Sequence, residues 1–332
     1  MLSFVIPCYR SENTVEKVIN EIIEIVSQRK AYDYEIIAVN DRSPDNVLQV
    51  LERLAAQNPK IKVVDLVKNM GKHAAVLAGY SFVRGDYVID LDDDCQSPTY
   101  ELWKLLEPVE RDECDYATAK YSVKREKFYK RIGSDLNVLM GHIMLEKPIS
   151  LRFENFNAMK AFVAKKATEY KNPYPYLEGL VLRITNRIMC VPMEQRERGD
   201  DNPTGFTLKK SLHLFTNGLT AFSVKPLRVA SVSGVVFAVL GIIFTIVTVV
   251  RKILNPDILV GYSSLMAVLL VSSGMIMVML GIIGEYIGRI YICINDSPQY
   301  VIRKTINLDG EQSASVQELQ TPEGEELRHE DD

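Results

Sequence analysis

Short apolar runs and helix-like patterns alternate along the first hundred residues. The apolar runs, which predict strands, are Leu2–Ile6, Tyr34–Val39, Ile61–Val67 and Asp86–Leu91. Between these runs, apolar positions recur at the spacing of one helix face over Glu12–Arg29, Pro44–Gln57 and Lys72–Val83. Strands and helices that alternate in this order predict an α/β domain with a mostly parallel sheet and helices on both faces.

Two long stretches near the C-terminal end carry no charged residue. Val229–Val250 and Ile258–Gly284 each exceed the roughly 20 apolar residues that cross a bilayer. Soluble helices of this length normally keep a polar face, so we predict two transmembrane helices, at about 229–250 and 258–284. The alternative is a pair of buried core helices. Basic residues on the outer flanks of the pair favour a cytoplasmic location for both termini.

The segments around these helices complete the predicted organisation. Residues 1–205 form the globular domain, and 206–228 predict amphipathic juxtamembrane helices, for which an ordinary packed helix is the alternative. The two membrane helices and their short loop occupy 229–291, and a cytoplasmic segment follows at 292–308. The acidic tail at 309–332 has few apolar residues and is predicted to be disordered.

Composition narrows the functional class. The chain has 332 residues and a net charge of −4, which gives no general case for binding nucleic acid. Its five cysteines are scattered, without a CxxC pair or a histidine at metal spacing. We therefore expect reduced, buried thiols in a domain that faces the cytosol.

Polar residues follow each predicted strand. The turns are PCYR at 7–10, NDRS at 40–43, KNMGK at 68–72 and DDD at 92–94. Ligands of open parallel sheets bind beyond the carboxyl ends of the strands, so these turns are expected to lie along one edge and form a site. The first turn has no glycine, whereas a dinucleotide-binding Rossmann domain needs G-x-G-x-x-G there.

Four carboxylates crowd the turn DLDDDCQSP at 90–98. Asp92 and Asp94, two residues apart, can point the same way from an extended backbone. Asp90 shares their parity but lies inside the predicted strand. Carboxylate oxygens suit Mg²⁺ or Mn²⁺ that is also held by substrate phosphates. The alternative is a solvated acidic turn.

Motifs along the chain resemble those of a known family. FVIPCYRSENTV, IIAVNDRSPDN, VKNMGKHAAVLAG and DLDDDCQSP resemble the patterns IPxYNE, VNDGSxD, NxGxxxAxxAG and DADLQDP of the GT-A glycosyltransferases of family 2. NPYPYLEGLVLR, RERGDDNPTGFTLKK and GEYIGRIY extend the likeness to membrane-bound polyprenyl-phosphate glycosyltransferases. These include dolichol-phosphate mannose synthase and bacterial undecaprenyl-phosphate glucosyl- and aminoarabinosyl-transferases. The resemblance reaches about residue 305 and implies a GT-A (Rossmann-like) fold.

By this resemblance, one group of residues is expected to bind the nucleotide sugar. Pro7 and Tyr9 match residues that flank the base, and Asp41 matches an aspartate near the base or ribose. Lys72 stands at a variable position, where it and the helix N-terminus would favour phosphate. His73 is either a ligand or a packed side chain.

A second group is expected at the reacting end. Asp92 and Asp94 match the metal-binding pair, and Gln96 matches a glutamine that helps to position the sugar or phosphates. Arg196 and Arg198 are the candidates for the acceptor phosphate, with a solvated charge run as the alternative. Asp94, Arg196 and Arg198 are therefore the predicted catalytic residues.

Three departures from the family pattern stand out. Arg42 replaces the usual glycine, so we expect a different backbone conformation at that turn. Asn157 replaces an arginine of the SFRxM segment that is thought to meet the acceptor phosphate. The segment from Arg198 to Phe206 holds an extra residue and two carboxylates.

The resemblance implies inverting transfer of a sugar from a nucleotide sugar, with uridine favoured, to undecaprenyl phosphate at the bacterial inner membrane. Multi-pass topology with a cytoplasmic catalytic domain, Mg²⁺ or Mn²⁺, contact with the bilayer and a homotetramer are expected with it. A phosphomonoester is mostly anionic at pH 7 and needs no catalytic base. The QxxRW sequence of processive synthases does not occur.

Two other functions stay open from the sequence. A glycosyltransferase that extends a lipid-linked saccharide would use a sugar hydroxyl, with Glu178 or Asp201 as its base. A non-catalytic membrane protein would use a degenerate GT-A domain to bind a partner.

Overall fold

A computed structural model describes residues 1–121, 151, 153–173, 175–194, 196, 225–254, 262–295 and 298–308. Its strands are β1 (Leu2–Cys8), β2 (Tyr34–Asn40), β3 (Ile61–Leu66), β4 (Tyr87–Asp90), β5 (Tyr116–Tyr121), β6 (Asn157–Lys160), β7 (Ile188–Met193) and β8 (Ile302–Ile306). Its α-helices are α1 (Val15–Ser27), α2 (Val47–Gln57), α3 (Lys72–Tyr80), α4 (Leu102–Glu110), α5 (Ala161–Thr168), α6 (Leu177–Ile184), α7 (Lys225–Leu254) and α8 (Tyr262–Ile294). The strands and helices predicted for the first ninety residues are all present, with ends shifted by a few residues.

The described strands form one sheet in the order β7-β5-β6-β4-β1-β2-β3-β8. The centre is parallel, because β1 pairs with β2 and β4, and β2 pairs with β3, all in the same direction. β6 and β8 enter the sheet antiparallel to their neighbours. The prediction of a mostly parallel α/β sheet is confirmed.

Apolar cores lie on both faces of the sheet, because alternate residues of a strand point to opposite sides. Phe4 and Ile36 pack with α1, α2 and α4 in one core, and Val5 and Ile37 pack with α3 and α5 in the other. The central strands are therefore buried on both sides, as β1 shows with all seven residues buried. Burial of both faces explains why these strands read as continuous apolar runs.

The cysteines are free in the part of the chain that the structure describes. Cys8 and Cys114 are buried, as expected. Cys95, Cys190 and Cys293 are partly exposed, so the expectation of buried thiols was wrong for these three.

The two long uncharged stretches become α7 and α8, of 30 and 33 residues. Within the described residues, Val271–Ile294 in α8 is long and apolar enough to cross a membrane, and Ala230–Phe244 in α7 is a shorter apolar stretch. Many of their apolar side chains face outward, such as Met277 at 75% exposure. The helix α8 also continues ten residues past Gly284, where the predicted span ends.

The strand β8 was not predicted. The sequence indicated a separate segment at 292–308, but Ile302–Ile306 adds to the edge of the sheet beside β3. The predicted juxtamembrane helices up to residue 224 and the acidic tail from 309 lie outside the described residues.

Candidate active site at the carboxyl edge of the sheet

The turns that follow β1, β2, β3 and β4 meet at one edge of the sheet, as predicted. The backbone N–H of Asp41 donates to the carbonyl of Cys8 at 3.1 Å, which joins the first two turns. The N–H of Arg10 donates to Ser43 Oγ at 2.7 Å and reinforces the same junction. We call residues 9–10 the β1 turn and residues 40–43 the β2 turn.

Asp41 ties the second turn to the loop after β3. Its two carboxylate oxygens accept the N–H groups of Met70 at 2.7 Å and Gly71 at 2.9 Å. Burial raises the pKa of Asp41, and the two backbone hydrogen bonds oppose this shift. Both oxygens therefore hold protein backbone, and a contact of Asp41 with the base or ribose remains a prediction.

The acidic turn after β4 is attached to the first turn through Asp93. Asp93 Oδ2 accepts the N–H of Tyr9 at 3.0 Å. Burial raises the pKa of Asp93 to about 6, although the hydrogen bond from Tyr9 works against it. The parity rule passed over Asp93, because it assumes an extended backbone. The strand ends at Asp90, and Cys95 has a left-handed φ of 60°.

Asp92 forms an ion pair with a lysine side chain. Lys72, the first residue of α3, places Nζ 2.5 Å from Asp92 Oδ1. Burial raises the pKa of Asp92, and Lys72 lowers it. The negative charge of Asp94 raises the pKa of Asp92 further, so the two predicted metal-binding carboxylates lie close enough to interact.

The donor set of this turn fits Mg²⁺ or Mn²⁺ that is shared with a substrate. Among the described residues, no group of three or more His, Cys, Asp or Glu side chains is arranged to hold a metal alone. Mg²⁺ commonly takes one or two carboxylates and completes its shell with substrate phosphates and water. Asp92 and Asp94 offer such a pair, and Gln96 is tied to it because its N–H donates to Asp94 Oδ1 at 3.1 Å.

A buried polar cluster supports the acidic turn from within the sheet. Asp90 accepts the hydroxyl of Tyr80 at 2.7 Å and the amide of Asn157 at 3.2 Å. Burial raises the pKa of Asp90 to about 6 despite these two bonds. Asn157 lies opposite Asp90 in the β4–β6 pair and is 5% exposed. Its partner is therefore Asp90, while its buried Oδ1 has no hydrogen bond.

The remaining predicted residues occupy different surroundings. Pro7 is buried in β1, and Tyr9 is 42% exposed at the edge. Arg196 forms an ion pair with Glu21 of α1 at 2.7 Å and lies over the ring of Tyr100. Arg198 and Asp201 lie outside the described residues, so their predicted roles stay predictions.

Arg42 keeps the conformation that glycine favours. Its φ is 50°, in the left-handed region, where most side chains cost about 1–2 kcal/mol. The arginine is therefore accommodated with strain, and a difference from the backbone of the family at this turn stays a prediction.

His73 sits beside Lys72 at the start of α3. Its ring meets that of Tyr176 edge-on, with centroids 5.6 Å apart. The ring is partly exposed, but Nδ1 is buried without a hydrogen bond. Burial, followed by the charge of Lys72, lowers the pKa of His73 to about 4. The imidazole is thus neutral at physiological pH and packs against a neighbour.

Comparison with known proteins agrees with this geometry. The family described as "Glycosyl transferase family 2" matches residues 3–166. The chain is 30% identical over 308 residues to "Uncharacterized glycosyltransferase YkcC" of Bacillus subtilis (strain 168), covering 92% of this chain and 94% of that protein. The chain belongs to glycosyl transferase family 2. The predicted family is therefore confirmed, and the protein is an enzyme of the glycosyltransferase class.

Two further likenesses concern the polyprenyl-phosphate type of family 2. A family described as "GtrB C-terminal hairpin" matches residues 225–290, which include α7 and most of α8. The family 2 chain is also 30% identical over 314 residues to "Undecaprenyl-phosphate 4-deoxy-4-formamido-L-arabinose transferase" of Proteus mirabilis (strain HI4320), with 92% of this chain and 94% of that protein covered. The polyprenyl-phosphate type that the motifs indicated is therefore supported along nearly the whole chain.

A solved structure shows the same fold. It is the glucosyl-3-phosphoglycerate synthase from Mycobacterium tuberculosis in complex with Mn²⁺, uridine-diphosphate-glucose and phosphoglyceric acid. The TM-score is 0.51 at 17% identity, over 66% of this chain and 79% of that one. At this identity the likeness establishes the GT-A fold of the family 2 domain and no more.

Proposed function

We propose that this glycosyltransferase moves a sugar from a UDP-sugar to undecaprenyl phosphate, with inversion and with Mg²⁺ or Mn²⁺, at the bacterial inner membrane. The observation that carries the proposal is the carboxylate pair Asp92 and Asp94 beside Lys72, at the edge where four turns converge. Cell-envelope glycan synthesis or modification is the process that such a product would serve.

The acceptor is inferred from the relatives and from the helices. Two relatives that are about 30% identical to this chain over 92% of its length are each named as an undecaprenyl-phosphate 4-deoxy-4-formamido-L-arabinose transferase. The exposed apolar surface of α7 and α8 suits a lipid environment, in which a polyprenyl chain is also soluble. We infer that both helices cross the membrane, although α7 has the shorter apolar stretch.

The donor and the metal are inferred from the site and from the fold neighbour. That neighbour was crystallised with Mn²⁺ and uridine-diphosphate-glucose. In this chain Asp92 and Asp94 would hold the ion, which offsets the charge of a departing diphosphate when it is bound. Lys72, which pairs with Asp92, would supply a positive charge in addition to that of the ion. Gln96 is tied to Asp94 through its backbone N–H.

The chain's own residues supply binding and charge rather than a base. A lipid phosphate is already largely ionised near pH 7, so a strong general base is not needed. Burial raises the pKa of the Cys95 thiol in the acidic turn, and the charge of Arg196 opposes this shift, so Arg196 lies near that turn. We therefore keep Arg196, together with Arg198, as the candidates that offset the charge of the approaching phosphate.

Transfer of label to lipid tests the proposal. The purified full chain in detergent is incubated with Mn²⁺, undecaprenyl phosphate and, in turn, each of a panel of labelled nucleotide sugars. Asp94→Asn keeps the shape of the side chain but removes its charge, and Asp86→Asn is its matched control. Asp86 lies at the opposite end of β4, is exposed, and pairs with the N-terminal amine.

We expect one donor to label the lipid phase, with a loss of about 100-fold or more in Asp94→Asn and little change in Asp86→Asn. Chelation should abolish transfer, and added Mn²⁺ should restore it. Label that enters only a lipid-linked saccharide would replace the proposal with transfer to a sugar hydroxyl. Absence of label from every donor in folded protein would refute it.

A further inference from the structure

The strand that follows the two long helices is connected to the β1 and β2 turns by a series of polar side-chain contacts. Arg303 Nε in β8 lies 2.7 Å from Oδ2 of Asp65, whose side chain is 1% exposed. The other oxygen of Asp65 accepts the amide of Asn40 at 2.6 Å. Asn40 Oδ1 in turn accepts the N–H of Ser43 at 3.1 Å. We call Arg303, Asp65, Asn40 and Ser43 the Arg303 network.

Ser43, the last residue of the Arg303 network, joins the β1 and β2 turns. Ser43 Oγ accepts the N–H of Arg10, the residue that follows Tyr9. Arg10 has a left-handed φ of 59°, which an arginine adopts only when its surroundings hold it there. The hydrogen bond that the Arg10 N–H donates to Ser43 Oγ is one such restraint, so the conformation beside Tyr9 depends on where Ser43 is held.

A break in the β3–β8 ladder places Arg303 at Asp65. Asp65 lies opposite Lys304, whereas the next residue, Leu66, lies opposite Ile302. Arg303 is therefore the extra residue of a β-bulge, a feature that re-aims a side chain and often occurs next to active sites. The bulge brings the guanidinium to ion-pair distance of Asp65 Oδ2, a buried oxygen that accepts no hydrogen bond.

The segment that carries Arg303 is anchored on both sides. Gln299 donates to the carbonyls of Tyr170 and Asn172 at 2.6 and 2.7 Å. Asn307 donates to the carbonyls of Ala55 and Ile61 at 2.8 and 2.9 Å. The backbone on both sides of Arg303 is thus held in place, which limits where its side chain, 47% exposed, can reach.

We propose that Arg303 and Asp65 are positioning residues of the donor site, so that the chain beyond the long helices completes the nucleotide-sugar site of the N-terminal domain. Without Arg303, the buried carboxylate of Asp65 loses its cation. This carboxylate, which accepts the hydrogen bond from Asn40, is then less firmly held. The Asn40–Ser43 turn then loses its support. The inference rests on the proposed function for the identity of the donor but not for the network itself.

Steady-state kinetics separate positioning from general stability. Arg303→Ala is compared with Lys304→Ala, which removes the neighbouring cation of the same strand. Lys304 pairs with Glu52 on α2 at 3.1 Å, where both side chains are exposed, and takes no part in the network. We expect Arg303→Ala to raise KM for the donor about tenfold, as for coupled residues of one network. The kcat, the KM for undecaprenyl phosphate and all constants of Lys304→Ala should stay within about twofold of wild type. Equal effects of the two variants would overturn the proposal.

A double-mutant cycle gives an independent arm. Asp65→Asn removes the buried charge but keeps an oxygen for Asn40, so adding Arg303→Ala to it should have little further effect on KM. Additive effects would overturn the proposal. This double variant also serves if Arg303→Ala folds poorly, because it leaves no unpaired buried charge.

Hydrogen exchange of the full chain tests the network without turnover. Arg303→Ala should speed the exchange of the Arg10 and Ser43 amides relative to Lys304→Ala, while the β1 amides remain protected. Unchanged exchange at both amides would overturn the network. If wild type transfers no sugar from any donor, the proposed function fails, and the exchange result still decides the role of Arg303 and Asp65.

Discussion

Replacing His73 by Phe should remove an acid-sensitive component of the stability of this protein. His73 contacts the ring of Tyr176 edge-on, and phenylalanine can keep that contact. The histidine has a pKa lowered to about 4 by burial and by Lys72, against an ordinary value of 6.5. The folded state therefore binds the proton more weakly than the unfolded state does.

The sign and size of the effect follow from proton linkage. The stability associated with neutral His73 is complete above pH 6.5 and is lost as the pH falls from 6.5 towards 4. The full difference corresponds to at most about 3 kcal/mol. Because one edge of the ring is exposed, we expect a loss of about 2 kcal/mol at about pH 4.5. Phe carries no proton and should avoid this loss.

Urea unfolding of the full chain in detergent measures the difference. Trp103 is the single tryptophan of the sequence and reports on the globular domain, where it contacts Tyr32 with ring centroids 5.1 Å apart. Unfolding free energies at about pH 7.5 and 4.5 are compared for wild type and His73→Phe. The other three histidines are common to both proteins and cancel in the difference. Parallel pH dependences in the two proteins would refute the reasoning.

Three further predictions use the same unfolding assay. Arg42→Gly should be more stable than Arg42→Ala by about 1 kcal/mol, because the left-handed φ of 50° strains alanine and suits glycine; equal stabilities would contradict this. Asp41→Asn should lose about 2 kcal/mol, because an amide has one oxygen for the two N–H groups that the carboxylate accepts; a change below about 0.5 kcal/mol would contradict it. Lys62→Met should lose about 3–5 kcal/mol by leaving the buried charge of Glu35 without its cation, and adding Glu35→Gln, which keeps an oxygen for the Ser3 hydroxyl and the Arg84 N–H, should recover part of it. Lys60→Met, at an exposed ion pair, is the control and should lose less than about 1 kcal/mol.

Much of the fold and the place of the site could be predicted from local pattern. The doubly buried strands read as apolar runs, and one apolar face per helix predicted α1 and α2. The helix α3 was also predicted, although its residues from Ala74 to Tyr80 are all buried. The polar turns at the strand ends then had to share an edge, because parallel strands end on the same side. Asp92 and Asp94 were selected in this way, and their metal-binding role stays a prediction. The comparisons confirmed the family that the motifs indicated.

What the side chains of that edge contact could not be predicted from local pattern. The structure shows both oxygens of Asp41 on the β3 loop, a contact that the sequence did not indicate, while its contact with a nucleotide stays a prediction. The sequence pattern passed over Asp93, whose contact with Tyr9 depends on an irregular turn, and it did not indicate the left-handed φ of Arg42. Each of these depends on an angle or a distance between turns, which the order of residues does not contain.

The sequence alone determined the strands and helices of the first ninety residues, the parallel direction of the first four strands and the edge at which their turns meet, because these depend on periodicity and on strand direction. Tertiary structure alone decided that β8 joins the sheet and that Arg303 reaches Asp65. The strand β8 is short, and two of its five residues, Arg303 and Lys304, are exposed, so it has little apolar signal of its own. Its conformation is stabilised by the open edge of β3, and a partner more than two hundred residues away leaves no mark on local pattern.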